Sequence, residues 1–87
     1  MAKSMSQRWR SGLGKLRVFS GAELCALLVA NGFSEVRRRG SHVVMQKRTN
    51  DSTITVPVPD HKEIRIGTLQ SIIRQSQLAR ELFEVRS

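Results

Sequence analysis

Residues 34–58, SEVRRRGSHVVMQKRTNDSTITVPV, decide the fold of this chain. The segment reads as three short strands separated by turn signals. Ser34 to Arg38 forms the first. Arg39-Gly40 makes a tight turn in which Gly40 takes the positive φ that other residues avoid. Ser41 to Arg48 is the second strand. Thr49 to Ser52 is a polar turn, and Thr53 to Val58 is the third strand, rich in β-branched residues. Pro57 and Pro59 are expected to stop the sheet, since neither can donate to a ladder.

Helical signals flank the strands. Upstream, Ser20-Gly21-Ala22-Glu23 fits a capping box, in which the Ser20 hydroxyl takes one free amide and Glu23 reaches back to another. Leu24, Leu27 and Leu28 follow at the spacing of an apolar helix stripe. Asn31-Gly32 closes that helix with residues that tolerate a left-handed conformation. Downstream, residues 59–67 read as a loop. Thr68 is the expected cap of a second helix carrying Leu69, Ile72 and Ile73, and a last turn spans Ala79 to Glu84. The order is helix, three antiparallel strands, helix. This is an α+β domain with one sheet face covered by the helices, because their stripes need a partner. Residues 1–17 read as a flexible basic extension, and residues 18–87 as the folded domain.

Size and charge bound the function. At 87 residues the chain makes one small domain. It buries only about 60 to 65% of its unfolded surface, so a deep cleft is excluded and a shallow site is expected. Fifteen Lys and Arg against seven Asp and Glu give a net charge of +8. Five of the basic residues (Lys3, Arg8, Arg10, Lys15 and Arg17) precede the first acid, Glu23. Such an excess favours polyanions. The single cysteine, Cys25, excludes an internal disulfide and a thiolate zinc site, and suits a reducing compartment. No apolar run is long enough to span a membrane, and the N-terminus lacks the apolar core of a secretory signal.

The candidate for chemistry is His42. Strand alternation sends Val43, Met45 and Lys47 to one face and His42, Val44, Gln46 and Arg48 to the other. Met45 suits the helix-covered face, which leaves His42 on the open one, although the reverse register is compatible with the pattern. A neutral imidazole can take the proton of an RNA 2′-OH, and nearby cations can stabilise the charge that develops on phosphorus. Neither task needs a metal or other cofactor. DNA lacks the 2′-OH, so RNA is the preferred substrate. Arg37, Arg38 and Arg39 are candidate phosphate contacts, with Lys47, Arg48 and Lys62 weaker ones. They equally suit a solvated sheet edge that blunts aggregation. Ser41 shapes the turn. His61 lies in a polar loop and reads as solvated, and Cys25 reads as a small core residue.

These residues carry a family resemblance. Ser20-Gly21-x-Glu23-Leu24, Gly32-Phe33, Arg38-x-Gly40-Ser41-His42, Val56-Pro57-Val58 and Gly67-Thr68-Leu69-x-x-Ile72, in this order, resemble the HicA toxin family over roughly residues 18–84. One departure is Gln77, which stands where that family commonly has a glycine. The resemblance implies a fold like the double-stranded-RNA-binding domain and a cytoplasmic toxin that cleaves mRNA. It implies a HicB-like antitoxin protein as partner, a free toxin that is monomeric, and His42 as the catalytic residue, with Gly40 and Ser41 beside it. Two other readings share the basic surface. One is a non-catalytic RNA-binding module of the same fold. The other is an interaction protein that docks an acidic partner.

Overall fold

A computed structural model describes residues 14–85, so most of the basic extension lies outside the described residues. The elements follow in the expected order. Helix α1 spans Gly21–Ala30. Strands β1, β2 and β3 span Ser34–Arg39, His42–Arg48 and Thr53–Pro59. Helix α2 spans Ile66–Ser76, and a 3₁₀ turn covers Arg80–Phe83. The strands form one antiparallel sheet in the order β1-β2-β3. The architecture is α+β.

Local chemistry sets both ends of α1. The Ser20 hydroxyl accepts from the Glu23 amide at 3.0 Å, and the Glu23 carboxylate accepts from the Ser20 amide at 2.9 Å. This is the reciprocal box read from the sequence. At the other end, Gly32 turns at φ +97°. The Phe33 amide reaches back to the Leu28 carbonyl and the Gly32 amide to that of Val29. These two bonds form a Schellman motif, and they satisfy carbonyls that the helix leaves open.

Helix α2 begins earlier than its sequence suggests. Its N-cap is Arg65, without a side-chain cap bond. Thr68 therefore lies inside the first turn and does not cap the helix. The outward-facing Ile66, 58% exposed, conceals the start from a periodicity argument. The prolines also behave differently from expectation. Both Pro57 and Pro59 lie within β3, opposite Val44 and His42. The Asp60 amide donates to the Ser41 carbonyl, so the amides that point at β2 belong to Asp60, Val58 and Val56. The two proline nitrogens alternate with these and face the open edge, where no donor is required.

Both helices cover one face. Val43, Met45, Val56 and Val58 point towards them and are at most 4% exposed. Leu24 and Leu28 of α1, with Leu69 and Ile72 of α2, fill the space opposite. Leu27 and Cys25 are only half-buried at the rim. The core also takes in residues from the two flanks. Leu16 and Phe19 precede α1, and Phe83 follows α2; all three are buried. Leu16 bridges to Glu84, with Arg17 donating to Phe83 and Val85 to Lys15. The folded unit thus starts inside the stretch read as an extension, because Leu16 has a core position to fill.

Candidate active site

The hairpin between β1 and β2 presents His42. Arg39 and His42 are the closing pair, and Gly40-Ser41 are the two loop residues, one position later than the sequence reading. Gly40 sits at φ +58°. Glycine first in a two-residue loop matches the right-handed twist of the flanking strands. Ser41 shapes this loop, and its carbonyl accepts from the Asp60 amide at 2.7 Å. The turn is thereby tied to the chain leaving β3. His42 is exposed, on the face away from the helices, as alternation from the buried Met45 requires.

A bulge decides which arginines join it. Glu35 pairs with Met45 but Arg37 pairs with Val44, so Val36 is an extra residue in β1. Directly opposed residues share a face. The bulge therefore puts Arg37 and Arg39 on the His42 side and sends Arg38 to the helix side. Unbroken alternation from Glu35 would have done the reverse. The open face comprises Ser34, Arg37 and Arg39 of β1, His42, Val44, Gln46 and Arg48 of β2, and Thr53, Thr55 and Pro57 of β3, while Pro59, opposite His42 at the end of β3, is buried. Gln46 donates to Thr55 across the strands at 3.3 Å. Arg37, Arg39 and Arg48 are exposed and form no ion pair among the described residues.

Two candidates from the sequence are placed elsewhere. Arg38 donates to the Asp60 carboxylate at 2.8 Å on the opposite side of the sheet. That hydrogen bond raises the Arg38 guanidinium above its ordinary value. Lys47 faces the helix side as well, with its ammonium 5.9 Å from the centre of the Phe33 ring. The geometry brings Arg37, Arg39, Gly40 and Ser41 together with His42, but neither Arg38 nor Lys47.

Asp60 was not singled out in the sequence. It joins the hairpin turn through its amide and β1 through its carboxylate. The next residue, His61, accepts from the Gly21 amide at 2.8 Å through its carbonyl, which ties the same segment to the start of α1. The His61 side chain is exposed. No sequence rule would pair Arg38 with a residue 22 positions away. Cys25 sits near this cluster. Burial pushes its thiol above the ordinary value, the carboxylates of Glu35 and Asp60 push it further, and Arg38 opposes them. A protonated thiol is a poor nucleophile, so Cys25 serves packing.

Among the described residues, no three His, Cys, Asp or Glu side chains gather as a metal site. No helix among them is long and apolar enough to cross a membrane. A comparison with curated proteins finds no match. A family model described as the HicA toxin of bacterial toxin–antitoxin systems matches residues 21–78. The match runs from the first residue of α1 to just past α2, and it includes the hairpin that carries His42. It covers two thirds of the chain, in the architecture just described, and the chain belongs to the HicA toxin family of bacterial toxin–antitoxin systems.

Proposed function

We propose that this toxin is a metal-independent mRNA endonuclease in which His42 is the general base. The supporting observation is the position of His42. It stands exposed at the end of a hairpin, on a sheet face whose ionisable strand residues are three arginines and itself. Its imidazole takes the proton from a ribose 2′-OH. The 2′ oxygen attacks the adjacent phosphorus and the bond to the 5′ oxygen breaks. The leaving 5′ oxygen takes up a proton, which leaves a 2′,3′-cyclic phosphate and a 5′-hydroxyl. Arg37 and Arg39, on the same face, are suited to stabilise the charge on the phosphoryl oxygens. Gly40 and Ser41, both small, keep the approach to the imidazole free of bulk.

The reading includes a partner and a setting. A HicB-like antitoxin would silence the toxin by covering His42, since a shallow site is blocked by any partner that seats on the sheet face. The toxin acts in the cytoplasm, where mRNA is available, and engages RNA as a monomer with its open face free. The remaining candidates, Arg38 and Lys47, would act on phosphates only beyond the sheet face.

The test uses purified protein and single-stranded mRNA in EDTA. Wild type is expected to cleave, leaving cyclic phosphate ends, and His42→Ala to lose at least about a hundredfold in rate, the usual contribution of a positioned base. Equal cleavage by both proteins would remove His42 from the mechanism. Binding without scission would make the chain an RNA-binding module.

A further inference from the structure

Charge is sorted between the two sides of the sheet. Arg37, Arg39, His42 and Arg48 lie on the open face, and no acid stands among the strand residues there. Glu35, opposite Met45, lies on the helix side, and so does the Arg38–Asp60 ion pair. Asp51 lies in the turn beyond Arg48 and forms no ion pair with it. The arginines sit at the two ends of β2. Six residue steps of about 3.3 Å put Arg48 about 20 Å from His42. Val44 and Pro57 form a pair level with Arg37, and Gln46 and Thr55 form the next pair towards Arg48.

We infer that a single strand of RNA lies along β2 on this open face. One phosphate is held at the His42 end by Arg37 and Arg39 and another at Arg48, with the intervening nucleotides crossing Val44 and Pro57. The inference rests on the endonuclease reading and extends it to the path and form of the substrate. An acid-free face with cations at both ends suits an extended polyanion. A single strand can lay successive phosphates along β2, whereas the strands of an A-form duplex wind about a common axis and leave that line. Base selectivity along this path is low. Phe19, Phe33 and Phe83 are all buried, so none of these phenylalanines is free to stack on a base. Affinity then comes mainly from phosphate contacts and is steeply salt-dependent.

The full chain is titrated with a short single-stranded RNA carrying 2′-O-methyl riboses, which cannot be cleaved by 2′-OH attack, over a range of salt concentrations. Each phosphate contact on a single strand contributes about −0.7 to the slope of log affinity against log salt. Arg48→Gln is expected to flatten the slope by about 0.7 and to weaken binding several-fold. Arg48→Lys should keep the slope, and Arg74→Gln, on α2, should leave both unchanged. On cleavable RNA, Arg48→Gln should raise KM with little change in kcat, since Arg48 is remote from the reacting atoms. Unchanged slope and affinity in Arg48→Gln would overturn the path, as would equal binding of duplex RNA. A loss confined to binding of polyglutamate would overturn it too and assign the face to an acidic protein. The endonuclease reading fails separately: the wild type would then leave RNA intact while the salt series still scores the path.

Discussion

Single residues hold this site in place by their backbone geometry. Gly40 turns the chain so that His42 begins a strand in the open, and Val36 adds the one residue that brings Arg37 and Arg39 round to it. A third residue shows the same kind of constraint at a cost. Gln77, the C-cap of α2, sits in the left-handed region at φ 61°. A side chain there crowds the following carbonyl, at roughly 1–2 kcal/mol. Glycine relieves that contact, though it also loses more freedom on folding. Gln77→Gly is therefore expected to stabilise the fold by about 1 kcal/mol. Urea denaturation would show this as a higher midpoint. An unchanged or lower midpoint would mean that the Gln77 side chain contributes more than its strain removes.

At the scale of elements, the two helices are held by different means. Helix α1 is ten residues long, too short to be stable alone. It has a reciprocal box at one end and a Schellman motif at the other. Helix α2 has no side-chain bond at its N-cap and relies on its apolar face, with Leu69, Ile72 and Ile73 buried. The consequence is a difference in sensitivity. Ser20→Ala removes the acceptor for the Glu23 amide and should cost about 1 kcal/mol. For a domain of this size that lowers Tm by about 4–8 °C. Thr68→Ala, by contrast, removes no cap and should shift Tm much less. Thermal melts of the two variants would check the order, and equal losses would show that Thr68 supports the helix start in some other way.

For the whole molecule, stability extends beyond the part that matches the family model. Residues 15–17 run beside residues 83–85. Phe83, fully buried, meets Phe19 edge-on at 6.0 Å between ring centres, and the Arg17 guanidinium lies 4.5 Å from the centre of the Phe19 ring. None of these residues falls within 21–78. Truncating a buried phenylalanine costs about 3–5 kcal/mol, and a small domain has about 5–15 kcal/mol in total. Phe83→Ala should leave a protein close to unfolding at growth temperature. Circular dichroism would show a strongly lowered midpoint, whereas a loss below about 1 kcal/mol would mean that the flanks are dispensable.

The local features were legible in the residues themselves. The capping box at Ser20 and Glu23, the turn at Asn31-Gly32, the alternation of β2 and the apolar stripe of α2 each depend on neighbours within a few positions. Short-range geometry therefore determined the element order, while the face on which His42 lies was left between two registers until the sheet packed Met45 against the helices. Other features needed the tertiary structure. The bulge at Val36 exists because β1 must register with β2, and nothing within SEVRRR specifies the extra residue. The Arg38–Asp60 contact joins chain segments that only the assembled sheet brings together. The prolines could remain in β3 because it became an edge strand, with their nitrogens turned outward. Leu16 looked like part of a polar tail until Phe83 and the C-terminal segment offered it a core. In each case a partner distant in sequence decided the outcome, and folding supplies that partner only once the sheet and helices have closed on one another.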